Sequence, residues 1–203
     1  MRRYLHLAGL FALAVLSLGA DDTEWKKDQT ADLASGMKFV TARQNCKNWA
    51  LAAGLETMLG LQNVPLDQSF WVMRLNGGEL CVDDLPKIEA LARVMNKEFV
   101  LDDGRHVRLE VRYVPGAPIN VDAVIANLKV QQLSLLLWNG HPYYLTGVTY
   151  DEHFGTEGKQ HYFALKELRL ADTFPKQPAI TFQRGRDNPG DITGMLSISV
   201  LPR

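Results

Sequence analysis

The apolar residues change their period once along this chain, and that change constrains the fold more than any other feature. From Trp49 to Met95 they recur mostly at three- and four-residue spacings, the pattern of helices that bury one broad face. From Glu98 onward short alternating runs take over, the pattern of strands lying on a core. Helices first and mostly strands after predict an α+β domain, with N-terminal helices packed on a C-terminal antiparallel sheet.

Trp49, Ala50, Ala52, Ala53, Leu55, Met58 and Leu59 mark a first helix, which Gly60 can end in a left-handed conformation. A second helix runs from about Leu66 to Leu75. A third runs from Asp83 to Met95, with an acidic cap and Pro86 in its first turn. Strands are expected at "EFVLDD", "RLEVRYV", "LSLLLW", "YYLTGVTY", "YFALKELRLAD" and "GMLSISVL", with one helix at "VDAVIANLKV" capped by Asp122. "NGH" is the turn that joins two of the strands.

Arg2 and Arg3, an apolar run from Leu5, and the small residues Gly19 and Ala20 make residues 1–20 a secretory signal peptide. The run is shorter than the roughly 20 residues a membrane-spanning helix needs. The polar stretch 21–36 is expected to be a flexible leader, and residues 37–203 a single domain. A net charge of -1 and the lack of any Arg- and Lys-rich run argue against nucleic acid and membrane as partners after signal cleavage. Export permits disulfides, so the two cysteines, Cys46 and Cys81, form a bridge in one reading.

In the other reading Cys46 is a nucleophile. It precedes a helix whose free N–H groups and dipole favour a thiolate, and Lys47 adds positive charge. A base is then needed, and His141 is the best placed of the histidines. It follows a tight turn and opens a buried strand, so rigid backbone holds it within reach of solvent. Asp172 ends a strand as His141 begins one, so antiparallel pairing would let it orient the imidazole.

Cys46 with Trp49 close behind, the Asn76-Gly77-Gly78 turn and "GHPYYLTGV" together make residues 39–175 resemble papain-like cysteine peptidases, in particular their small bacterial branch. The resemblance implies a papain-like fold and an exported, monomeric cysteine peptidase that hydrolyses a peptide or isopeptide bond through an acyl-enzyme intermediate. Cys46 would attack, His141 would act as base and then acid, and Asp172 would orient it. Asn76, Gly77 and Gly78 would line the cleft and pair with an extended peptide or protein substrate.

Two departures from the family stand out. Its oxyanion glutamine usually lies where this chain has Val40, leaving Gln44 as the nearest candidate donor with Asn45 or Asn48 as alternatives, and its tryptophan directly follows the cysteine, whereas Trp49 follows Cys46 by three residues, with Lys47 and Asn48 between. Cys81 is expected as a buried free thiol. No metal or other cofactor is implied, because the cysteines and histidines lack paired ligand spacings. The alternatives are another Cys-His acyl-transfer enzyme, such as a cell-wall amidase or transglutaminase, or a papain-fold binding domain silenced by a Cys46–Cys81 disulfide.

Overall fold

The computed structural model describes residues 24–34, 42–82, 88–118, 121–154, 161–174 and 176–202. The expected signal peptide lies outside them. The described chain is mixed α and β: four helices and one antiparallel sheet of eight strands. The helices are α1 (Ala50–Gly60), α2 (Gln68–Asn76), α3 (Ile88–Met95) and α4 (Asp122–Lys129). The strands are β1 (Glu24–Asp32), β2 (Glu98–Val100), β3 (His106–Pro115), β4 (Ser134–Trp138), β5 (His141–Phe154), β6 (His161–Asp172), β7 (Ile180–Gln183) and β8 (Ile192–Pro202).

The sheet runs β2-β3-β8-β4-β5-β6-β7, and β1 also pairs with β5. Its two faces are buried differently. Leu135 and Leu137 of β4 join Leu109, Leu196 and Ile198 in a core shared with α1, α2 and α3. Leu136 points the other way, into a second core with α4, Leu145, Val148, Leu168 and Phe182. Burial on both faces explains why β4 reads as an unbroken apolar run instead of an alternation.

Asn139 and Gly140 both take positive φ, 51° and 71°, as a two-residue hairpin turn requires, and this starts β5 at His141. At α2, Asp67 accepts a hydrogen bond from the Phe70 N–H at 2.8 Å, and Gly77 ends the helix at φ 72°.

Three sequence expectations change. The leader is not a loop over residues 24–32, where it forms β1. Its backbone extends the edge of β5 beyond the part that β4 covers, Asp32 facing Gly147 and Glu24 facing Phe154. Backbone pairing needs no apolar alternation. Ion pairs from Lys166 to Asp28 and from Arg169 to Asp32, the latter at 2.6 Å, tie the polar strand down. Gly60 does not terminate α1 in a left-handed conformation. Leu61 caps it in ordinary helical geometry and Asn63 takes the left-handed turn at φ 58°. Asp122 is the first residue of α4 and not its cap, so it acts on the helix dipole from the first turn. Asp83 and Pro86, expected at the head of α3, lie outside the described residues, and the short strand β7 had no sequence expectation.

Gly54 sets how closely α1 approaches the sheet. A Cβ there would lie 2.9 Å from Leu135 Cδ1 and 3.5 Å from Thr173 Cγ2. Gly54→Val is therefore expected to cost about 1–3 kcal/mol by overpacking. The measurement is a lower urea midpoint at unchanged m value, and an unchanged midpoint would show that the layers can part freely.

Candidate functional site

Two small constellations occupy the places the sequence singled out. The first is on the sheet. Tyr143 of β5 pairs directly with Asp172 of β6, and His141 stands two residues earlier on the same face, so the pleat sets His141 and Asp172 as diagonal neighbours. Their side chains meet: His141 Nε2 lies 2.9 Å from Asp172 Oδ1. The side chains are about one-fifth exposed, 21% and 19%, so the pair sits at the surface without being surrounded by water.

The surroundings fix the ring. Phe174 stacks on His141 with centroids 5.6 Å apart and an interplanar angle of 8°, and Tyr143 meets it edge-on at 4.7 Å. Asp172 Oδ1 also accepts the Phe174 N–H at 2.8 Å, which holds the carboxylate in place. Fully buried Thr173 adds its Oγ1 at 3.3 Å from Nε2 while donating to the Pro142 carbonyl at 3.2 Å. With Thr173 donating elsewhere, the hydrogen on His141 belongs on Nε2, pointing at the carboxylate. Nδ1 then carries the lone pair and is the atom able to take a proton.

The second constellation surrounds Cys46. Cys46 is not the first residue of α1 but stands one turn ahead of it: its carbonyl accepts the Trp49 N–H at 3.0 Å and its sulfur accepts the Asn48 N–H at 3.4 Å. Its sulfur is bonded to Cys81, with Cα atoms 5.8 Å apart. The expectation of a buried free thiol at Cys81 is thereby corrected, since Cys81 is exposed and bridged. In this oxidised form Cys46 has no thiolate to offer.

Two further bonds run alongside the disulfide. Trp49 Nε1 donates to the Leu80 carbonyl at 2.9 Å, and Asn48 Nδ2 donates to the Cys81 carbonyl at 3.1 Å. The upstream side is clamped by Gln68, which is 1% exposed: its Oε1 accepts the Asn45 N–H at 3.0 Å, and its Nε2 donates to the Arg43 carbonyl at 2.9 Å and to Glu56 at 2.6 Å. Sequence reading missed both Gln68 and Thr173, since neither sits in a motif. A fully buried Gln can be recognised only once the loop it holds is seen.

Of the other candidates, Gln44 has both amide atoms buried and without a hydrogen-bond partner among the described residues, so its donor is uncommitted. Asn76 ends α2, and Gly77 and Gly78 follow in the open, where an added Cβ would meet nothing within 4 Å. Trp71 is core, meeting Phe70 and Phe99 edge-on. Among the described residues no hydrogen bond links Cys46 or Gln44 to the His141–Asp172 pair, and no three His, Cys, Asp or Glu side chains group so as to hold a metal ion. No family model, curated protein or solved structure matches the chain.

Beneath the site, burial holds the Tyr144 phenol well above its ordinary value of 10.0, an effect added to by the charges of Glu56 and Asp172 and opposed by a hydrogen bond with Thr57. The neutral phenol is favoured in the folded state. Its contribution to stability is therefore intact below about pH 10 and is lost as the pH rises further. In an alkaline absorbance titration Tyr144 is expected to ionise only with unfolding, and Tyr144→Phe to remove one such late-titrating phenol. An early, reversible titration of that phenol would contradict the burial.

The bridge closes a loop with a sequence separation of 35, for which chain entropy gives about 3–4 kcal/mol. Cys81→Ser is expected to lower unfolding free energy by about that amount in chemical denaturation. A loss below about 1 kcal/mol would show that the hydrogen bonds of Trp49 and Asn48 hold the loop unaided.

Proposed function

We propose that this chain is an exported, papain-like domain that binds a peptide or protein and does not cleave it. The observation that carries this reading is the disulfide itself. The only sulfur in the position expected for a nucleophile is bonded to Cys81, and Trp49, Asn48 and Gln68 hold both sides of the bridge, as they would for a permanent staple. In the family that the sequence resembles, the residue directly before the tryptophan is the nucleophile, and here it is Asn48, whose amide has no nucleophilic atom and is engaged with the Cys81 carbonyl. Export fits a chain with a disulfide and, among the described residues, no helix long and apolar enough to cross a membrane.

On this reading His141 and Asp172 are a polar, hydrogen-bonding element of the binding cleft. Gly77 and Gly78 leave backbone groups open for an extended segment.

The intact His141–Asp172 pair favours a second reading, a thiol hydrolase silent until reduced. A dithiol reductant would take up the bridge, becoming a disulfide as Cys46 and Cys81 become thiols. His141 Nδ1 would then accept the Cys46 proton as the sulfur adds to a carbonyl, and pass it to the leaving amine, before water releases the acyl group.

The two readings separate in one experiment: iodoacetamide labelling and hydrolysis of a fluorogenic peptide library, with and without a dithiol. A binding domain is expected to show no hydrolysis in either state, and equal alkylation of Cys46 in reduced wild type and His141→Ala. Hydrolysis that appears on reduction and vanishes in both Cys46→Ala and His141→Ala would overturn it in favour of the hydrolase.

A further inference from the structure

On the far side of the sheet from α1, a cavity of about 350 Å³ opens between α4 and the ends of β3 and β8. Its walls divide by chemistry. Val114 and Met195, paired across β3 and β8, and Val124 of α4 give it an apolar body continuous with the second core. Arg112, Ser197 and Asn127 give it polar groups, and Arg112 and Ser197 are themselves register partners, so they share the cavity face of the sheet.

The arginine is uncompensated. Among the described residues the exposed side chain of Arg112 makes no hydrogen bond or ion pair; Arg43, Arg93, Arg108 and Arg184 are likewise without a carboxylate, but Arg112 is the arginine that lines this cavity. Glu110, two residues away on the same strand, forms no ion pair with it. Ser197 makes no side-chain hydrogen bond, and Asn127 uses only its Nδ2, donating to Ser134 Oγ at 3.1 Å. An apolar chamber with one free guanidinium, one hydroxyl and one amide oxygen has the composition of a ligand pocket, in which a few polar groups orient a mostly apolar molecule.

We infer that this cavity binds a small monocarboxylic acid with an apolar tail, its carboxylate paired with Arg112 and hydrogen-bonded by the Ser197 hydroxyl, its tail lying along Val114, Val124 and Met195. A single cation matches a single negative charge, whereas a phosphate dianion asks for more positive partners than the cavity supplies. The volume equals the space of about a dozen liquid waters, enough for an acid of about ten non-hydrogen atoms. The site shares no residue with His141, Asp172 or Cys46, so it stands or falls independently of the function proposed above.

The test is titration of the oxidised, folded chain with octanoate, 1-octanol and octyl phosphate, followed by the methyl NMR signals of Val124 and Met195. Octanoate is expected to shift these signals saturably and to bind about tenfold or more tighter than octanol. Arg112→Gln, a change at an exposed side chain, is expected to weaken octanoate about 10- to 100-fold while leaving octanol unchanged. Ser197→Ala is expected to give a smaller loss. Absence of saturable shifts, equal affinity for octanoate and octanol, or an unaltered affinity in Arg112→Gln overturns the inference. Tighter binding of octyl phosphate overturns the choice of carboxylate.

Discussion

Strand β5 is the element on which the rest of the structure depends. Along one edge it pairs with β6 almost from end to end, and along the other with β4 over its first residues and with β1 over its later ones. Its backbone therefore joins three strands, and its side chains feed both cores: Tyr144 faces the helices, and Leu145 and Val148 face α4. Its first residue is His141. A side chain so placed inherits the rigidity of the sheet, which is why a two-residue turn and a register of alternating residues suffice to bring it against Asp172.

The second organising link lies ahead of α1. Helix α1 is buried almost all round, so its position is set by packing, with Gly54 allowing close contact to Leu135. The loop before it has only a small apolar cluster, Cys46 and Trp49 against Ala52 and Val72, and is held mainly by polar and covalent links: the Cys46–Cys81 bridge, the Trp49 and Asn48 side chains on the next segment, and Gln68 on the preceding one. A thiolate and a staple make opposite demands on the same sulfur, one needing it free beside a base and the other needing it consumed. The density of links around the bridge supports the staple.

Much of this was legible from the residues. The three- and four-residue spacings in α1 and α2 and the alternation in β3, β5 and β6 reflect the geometry of helices and strands directly, so they survive into the structure. So does the Asn139-Gly140 hairpin, because positive φ at both positions favours those residue types. Strand β1 was not legible. A polar strand on an open sheet edge is held by backbone bonds and by Arg169 and Lys166 from a distant strand, and neither leaves a periodic trace. Thr173 and Gln68 were hidden for the same reason: a buried polar side chain is defined by its partners, and its partners are remote in sequence.

By itself the sequence determined the order of helices and strands, the hairpin at His141, and the two cysteines as the only sulfur pair, because these depend on local period, turn chemistry and composition. Whether Cys46 meets Cys81 or an imidazole, whether Asp172 reaches His141, and which arginine comes to line the cavity beside α4 were decided by the tertiary structure alone. Each is a distance between residues tens of positions apart, and only sheet register and layer packing set such distances.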